Sequence, residues 1–488
     1  MIDSTEEIRR LDKSLAFDYS SAFSRNLGWV TAAELATLRG ARIAIAGLGG
    51  VGGAHLLTLC RLGVAQFNIA DFDHFEVHNF NRQAGASMPF LGQAKVEVLS
   101  RLARDVNPEA DLRTFAQGVN PKNVGDFLRD ARRDGLAETI EDRKLWGAMR
   151  MTPTDLSDVN ANTYTYLMNG TTSLGNWTGL FRSGEKVRLR FINGSSMTHF
   201  DVRIPGLKMT VVAADGQYVH PVTVDEFRIA AAETFDVIVE PSGQDAFTIF
   251  AQDLGRTGHV SGTLAVREGL RAPVPQVDAR PILSMADMGH GGMDHASMDH
   301  AAMDHAAMGH SMPGMLQHPP GEGSNPLVDM QTMAPTASLD DPGIGLRDNG
   351  RTVLSYAMLK SAFADPDGRE PGREIELHLT GHMERFSWGF NGQKFADAEP
   401  LRLNYGERMR IVLVNDTMMT HPIHLHGMWS DLEDEHGNFM VRKHTVDMPP
   451  GTRRSYRVRA DALGDWAYHC HLLYHMEAGM MRTVRVEE

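Results

Sequence analysis

Cysteine is nearly absent from this chain: Cys60 and Cys470 are the only two in 488 residues. With one of those thiols placed among metal-type ligands no disulfide framework remains, so the cysteine count does not fix the redox compartment. Long apolar runs are missing too. None approaches the roughly 20 residues that cross a bilayer, and no membrane span is expected. Basic residues are outnumbered 48 to 62, and the formal charge of −14 argues against nucleic acid as a partner, which requires clustered Lys and Arg. The first twenty residues, MIDSTEEIRRLDKSLAFDYS, hold no apolar h-region, twin arginine or cleavage site, so a cytoplasmic location is the expectation for the sequence as written. The length suits about three domains.

What the chain does have is concentrated near its end. Cys470, His475 and Met480 stand at C-x4-H-x4-M spacing in WAYHCHLLYHMEAGM (466–480), and HPIHLHG (421–427) adds His421. A Cys, two imidazoles and a thioether are the ligand set of a blue copper site with a weak axial Met. His469 and His471 flank Cys470. In an extended strand neighbours point to opposite faces, so both leave the Cys470 site and converge on a second one. His424 and His426 repeat the i, i+2 spacing and face the same place.

These residues resemble the carboxy-terminal domain of multicopper oxidases. From about residue 130 to 488, through LTGHMERFSWGFNGQ, RLNYGERMRIVLVND and DMPPGTRRSYRV, the sequence is similar to the bacterial copper-resistance type. The resemblance implies type 1 copper ligands at His421, Cys470, His475 and Met480, and trinuclear-cluster ligands at His424, His426, His469 and His471. Cys470, His469 and His471 then form the short covalent path for electrons bound for O2. It also implies a periplasmic setting, against the expectation from the first twenty residues. In that family four His-x-His pairs hold the trinuclear cluster, two of them from an amino-terminal cupredoxin domain. Only HLH (424–426) and HCH (469–471) occur here. A chain that binds copper and exchanges single electrons, with impaired O2 reduction, is the expectation.

The place of that first domain is taken by other residues. RIAIAGLGGVGGAHLLTLCRLGV reads as a buried strand, a glycine turn and a helix, with Gly47, Gly49 and Gly52 fitting G-x-G-x-x-G. A second strand, QFNIADFD, ends at Asp71, an acid placed to meet a ribose. With HNFNRQ and GQAKVEVL, the segment resembles the ThiF/MoeB family of ATP-dependent adenylating enzymes. Carried over, Asp71 meets the ribose of ATP, Arg82 and Lys95 its phosphates, and Arg25 matches an arginine contributed by a neighbouring subunit. Cys60 falls in the first helix and reads as core. After GVNPKNVGDFLRD the family pattern stops before its magnesium-binding aspartate, and about half of an adenylating domain is missing. Two partial families meeting within a few residues favour a rearranged reading frame over a gene fusion.

The expected architecture is therefore multidomain: an α/β Rossmann-like half-domain (1–129) followed by two all-β cupredoxin domains, Greek-key β-sandwiches, at 130–270 and 346–488. Short β-branched and aromatic runs between turn signals, such as EKVRLRFIN, FDVIVEP and REIELHLTG, carry the sandwich reading. His199, His220 and His259 are scattered without ligand spacing and read as surface or core. Residues 271–345 read as a linker holding a five-residue repeat that places Met288, Met293, Met298, Met303 and Met308 beside His290, His295, His300, His305 and His310. Thioethers suit cuprous ion and imidazoles suit either copper state, so the repeat is a candidate copper tract; a neutral spacer is the alternative. Trp429, Glu433, Asp434 and Glu435 either shape a substrate side or form a solvated acidic loop. Three functions stand side by side: oxidation of cuprous ion or phenol-like donors at a type 1 copper, ATP-dependent adenylyl transfer, and copper sequestration by the tract. The oligomeric state stays open.

Overall fold

The computed structural model describes residues 17–27, 30–131, 146–147, 151–290, 316, 318 and 322–488. The chain divides into two units, Met1–Arg143 and Lys144–Glu488. In the first, helix α1 (Ala32–Gly40) opens on a capping box, in which Thr31 accepts from the Glu34 N–H and the Glu34 carboxylate accepts from the Thr31 N–H. Strand β1 (Arg42–Ala46), helix α2 (Gly52–Arg61), strand β2 (Gln66–Ala70), helix α3 (Lys95–Val106) and strand β3 (Asp111–Phe115) follow. The sheet is parallel, in the order β1-β2-β3. Between β1 and α2 only glycine fits: a Cβ on Gly52 would lie 1.8 Å from the Gly47 carbonyl oxygen, and Gly47 itself has φ +86°. Cys60 is enclosed with Leu56, Phe67, Ile69 and Leu99, and burial pushes its thiol up to about 11. It is a core side chain.

The second unit holds four sheets in two sandwiches. The first sandwich sets β5 (Val187–Ile192), β10 (Thr234–Val239), β7 (Met209–Ala214) and β8 (Gln217–Val224) against β4 (Thr178–Leu180), β12 (His259–Ala265), β11 (Ala246–Asp253), β6 (Phe200–Arg203) and β9 (Glu226–Ile229), each in spatial order. In β10 the buried residues Phe235, Val237 and Val239 alternate with half-buried neighbours, the two-residue period of a strand covered on one face. In the second sandwich one sheet runs β14 (Ser387–Phe390), β13 (Arg373–His382), β16 (Arg408–Asn415), β21 (Arg453–Arg459), β18 (Ser430–Glu433), β19 (Phe439–Lys443). The other runs β15 (Leu401–Asn404), β23 (Met481–Glu487), β22 (Gly464–Cys470), β17 (His421–Leu425), β20 (Thr445–Met448). Helix α4 (Leu473–Glu477) joins β22 to β23. An α/β first unit followed by two all-β sandwiches is the expected fold class.

The linker expectation for 271–345 needs correction at its described ends. Leu283, Met288, Met330 and Leu339 are buried in the same hydrophobic cluster as the sandwich cores. Met288, expected as the first thioether of the copper tract, is fully enclosed there and is a packing residue. Met293, His295, Met298, His300, Met303, His305, Met308 and His310 lie outside the described residues. Among the described residues, no helix is long and apolar enough to cross a membrane.

The two sandwiches are tied together by buried charge. Lys443 Nζ lies 2.9 Å from Asp215 Oδ2 and 3.1 Å from Glu233 Oε1, with all three side chains out of solvent. Removing the cation leaves two carboxylates buried without their partner, which costs about 3–5 kcal/mol. Lys443→Met is expected to lower stability by about that amount in urea denaturation followed by tryptophan fluorescence. A loss below about 1 kcal/mol contradicts the tie.

Candidate metal centre

The site begins with strand pairing. β17 and β22 run antiparallel with Ile423 opposite Cys470, His424 opposite His469 and Leu425 opposite Tyr468. Because facing residues share a side of the sheet, Cys470 points with Ile423 into the core and His424 with His469 to the other face. His421 starts β17 after the loop NDTMMT, which Asn415 holds rigid: its Nδ2 donates to the Met419 and Met448 carbonyls, and its Oδ1 accepts from the Thr417 N–H. After β22 the chain turns through α4, bringing His475 back. Gly479, at φ +127°, then allows a close pass, since a Cβ there would sit 2.6 Å from the Trp388 carbonyl oxygen. Met480 follows, its N–H donating to the His475 carbonyl and its own carbonyl accepting from the Cys470 N–H.

His421, Cys470, His475 and Met480 are all fully buried. One ligand atom each from His421, Cys470 and His475 gather within 4.8 Å of one another. Cys470 Sγ is 3.6 Å from His421 Nδ1, which is 3.1 Å from His475 Nδ1. The outer nitrogens are already engaged. His475 Nε2 donates to Asp158 Oδ2 at 2.8 Å. His421 Nε2 lies 2.7 Å from Thr417 Oγ1, whose own hydroxyl hydrogen goes on to Asn415 Oδ1, so the imidazole is the donor. Both rings thus turn an unprotonated Nδ1 toward the sulfur, and such outer partners set the tautomer and orientation of metal-ligating histidines. Burial drives the His421 imidazole well below its usual range, lowers that of His475 against the opposing pull of Asp158, and pushes the Cys470 thiol well up. A thiolate in that pocket requires a cation beside it. Trp388 stacks on His475 with ring centroids 4.0 Å apart and covers the site.

On the opposite face the other four histidines come together. His424 lies 4.6 Å from His426 and 5.8 Å from both His469 and His471 between ring centroids, and His469 lies 5.4 Å from His471. His424 Nδ1 donates to the His444 carbonyl and His469 Nδ1 to the Cys470 carbonyl, which leaves each Nε2 as the lone-pair nitrogen. His469 Nε2 faces His426 Nε2 at 3.1 Å. This face is open: His426 is exposed, and with His424, Met428, Trp429 and His444 it lines a surface pocket.

Three contributors gave no usable sequence signal. Asp158 is 317 residues from His475, Trp388 is an ordinary strand aromatic, and His444 meets His424 only through the β17–β20 pairing. Thr417 stands four residues before His421 and was findable, had the loop conformation been known. Glu433 is neither a substrate-side residue nor a solvated acid. It is buried, with Arg410 Nε at 2.7 Å and Arg457 Nε at 2.6 Å. His199 is a core residue paired with Asp447, His220 is exposed, and His259 stacks on Phe250.

In the first unit, Gly47, Gly49 and Gly52 form the turn between β1 and α2, and Asp71 follows β2. The Asp71 carboxylate accepts from the Leu48 N–H at 2.6 Å and from the Asp73 N–H at 2.8 Å. Lys95 pairs with Asp73 at 3.0 Å and is buried, while Arg82 is exposed and donates to the His78 carbonyl. Arg25 lies in a single exposed turn.

Multicopper oxidase family models match residues 125–268 and 368–488, and a ThiF family model matches residues 23–144. Copper resistance protein A of Escherichia coli is 64% identical over 425 residues, covering 79% of this chain and 70% of that protein. Copper resistance protein A of Pseudomonas syringae pv. tomato is 62% identical over 483 residues, covering 87% of this chain and 79% of its own. A tRNA threonylcarbamoyladenosine dehydratase of Haemophilus influenzae is 36% identical over 95 residues, 20% of this chain and 36% of that protein.

Burial, with His444, His426 and His469 nearby, holds the His424 imidazole down at about 4, against about 6.5 in an unfolded chain. Between those values the unfolded chain takes up a proton that the folded chain refuses. The stability tied to the neutral ring is complete above about pH 6.5 and is lost as the pH falls toward 4. In metal-free protein, the Tm of the wild type relative to His424→Gln is expected to drop across that window. A pH-independent difference contradicts it.

Proposed function

Because the chain belongs to the multicopper oxidase family, among its copper-resistance members, we propose that His421, Cys470, His475 and Met480 hold a type 1 copper that takes single electrons from cuprous ion or phenol-like donors. The observation that carries this reading is the buried meeting of Cys470 Sγ with two Nδ1 atoms whose outer nitrogens are held by Thr417 and Asp158. Two imidazoles, a thiolate and a thioether suit copper by donor chemistry. Copper bound there supplies one-electron redox chemistry. The protein's own share is positional: Asp158 and Thr417 fix the tautomers, Trp388 keeps water from His475, and the β17–β22 ladder holds Cys470 against movement.

His469 and His471, bonded neighbours of Cys470, give electrons a short covalent way to the opposite face. There His424, His426, His469 and His471 make half of the eight-histidine set of a trinuclear cluster. These 488 residues contain no other His-x-His pair. We infer that one-electron exchange is retained and four-electron reduction of O2 is severely impaired. For the first unit, the glycine turn and the position of Asp71 support nucleotide contact. ATP chemistry is not supported there, because the resemblance to the adenylating family stops before that family's magnesium-binding aspartate.

After reconstitution with copper the protein is expected to show a blue absorption band that Cys470→Ser abolishes without unfolding the chain. Asp158→Ala is expected to keep the band but weaken copper affinity by about 10–100-fold, through a misoriented His475. A band that survives Cys470→Ser overturns the assignment.

A further inference from the structure

A second group of ligand-type side chains lies in the same unit, outside the centre described above. His318, Glu322, His378 and Asp416 each offer one ligand atom, and the four atoms lie within 4.8 Å of one another. His378 Nδ1 is 2.6 Å from Asp416 Oδ2, and His318 Nδ1 is 3.3 Å from the same oxygen. Glu322 Oε2 lies 3.6 Å from His318 Nδ1 and 3.9 Å from His378 Nδ1. Glu322, His378 and Asp416 are 3%, 1% and 0% exposed, so water does not satisfy what they leave unpaired.

The outer atoms of this group are held as they are in a metal shell. His318 Nε2 donates to the Thr332 carbonyl at 2.7 Å, and His378 Nε2 faces Glu376 Oε1 at 3.4 Å. Each ring therefore anchors its far nitrogen on an oxygen and turns Nδ1 inward. Asp416 Oδ1 accepts from the Thr332 N–H at 2.8 Å, which leaves Oδ2 for the two imidazoles. Glu322 Oε1 is buried with no hydrogen bond, and so is Nε2 of the adjoining His290. Orphaned polar atoms of that kind are costly unless something fills the space between them. Thr332 fixes the floor, its hydroxyl donating to the Met288 carbonyl at 3.0 Å. Gly289 has to be glycine for that approach, since its Cβ would lie 2.0 Å from Thr332 Oγ1.

We propose that His318, Glu322, His378 and Asp416 form a second metal site, one that takes cupric ion. Imidazole nitrogen with carboxylate oxygen, and no thiolate or thioether, suits a divalent first-row ion rather than cuprous copper, and among those ions Cu2+ binds such donors most tightly. The site is coupled to the Cys470 centre through one short loop. Asp416 immediately precedes Thr417, whose hydroxyl holds His421. It also closes a seam, because Glu322 and Thr332 come from one segment, His378 from the middle of β13 and Asp416 from just after β16. An ion here pins the chain that follows the Met/His repeat onto the second sandwich.

The test uses the full chain with Cys470→Ser and with His295, His300, His305 and His310 replaced by alanine, which removes the blue site and most of the repeat's imidazoles. Cupric chloride is titrated into this protein and into the same protein carrying Glu322→Gln or His378→Ala, with bound copper measured by equilibrium dialysis and electron paramagnetic resonance. The parent is expected to bind one more Cu2+ than the His378→Ala variant, with a tetragonal signal split by imidazole nitrogen. Glu322→Gln, which keeps size and removes only charge, is expected to weaken that ion by about 100-fold or more, beyond what loss of an outer partner costs. If His378→Ala fails to fold, the Glu322→Gln comparison decides alone. Equal copper content and identical spectra in folded parent and variants overturn the proposal and leave the cluster a buried ion pair. The blue band plays no part in this readout, so failure of the type 1 reading leaves the result unaffected.

Discussion

The pairing of β17 with β22 is the constraint on which the rest of the second unit's chemistry depends. One antiparallel register places Cys470 inward and His424 and His469 outward, and a slip of a single residue would exchange the two faces. The inward face demands apolar cover, and Ile423, Tyr468 and Trp388 provide it. The outward face demands polar partners for its imidazoles, and the His444 and Cys470 carbonyls provide those. A buried thiol, two neutral imidazoles and an enclosed thioether are a poor way to build a core. They suit the ligand set of a metal ion, and a bound cation would offset the cost of burying them.

Much of this was legible in the sequence because it is local. C-x4-H-x4-M spacing with His421, the i, i+2 histidines and the two-residue period of a strand together assign eight side chains to two sites with no knowledge of the tertiary fold. Partners from far along the chain were not legible. Asp158 reaches His475 from the start of the first sandwich, and nothing around TDLSD marks it out. Glu433 looked like part of an acidic run, yet two arginines from β16 and β21 of the same sheet make it structural. Met288 sat in a repeat whose composition suggested a loose tract, and the core took it in. Composition describes a segment's average, whereas packing is decided residue by residue. The same limit hid the His318 cluster, whose four members are spread over about a hundred residues with no motif among them.

The two units set their ligand-type residues in different surroundings. The first has three parallel strands, a glycine turn and a correctly placed acid, which is enough to form a small core around Leu56, Phe67 and Leu99. The second has a closed inward site beside an open outward one, where His426 is exposed and the pocket it shares with Trp429 and His444 faces solvent. A cluster that reduces O2 needs its ligands on every side of the metal ions. Four imidazoles on one face leave the remaining coordination to water or to another molecule.

That contrast makes the fate of a single electron the most direct measurement. The copper-loaded protein is bleached under argon with one equivalent of a mild reductant per blue centre, then mixed with air-saturated buffer while the blue band and dissolved O2 are recorded together. A closed type 1 site beside half a cluster should stay bleached, with no matching O2 consumption, and should recover its colour promptly when a one-electron oxidant is added. Rapid return of the band in air, with one O2 consumed for every four electrons, contradicts it and requires a complete cluster.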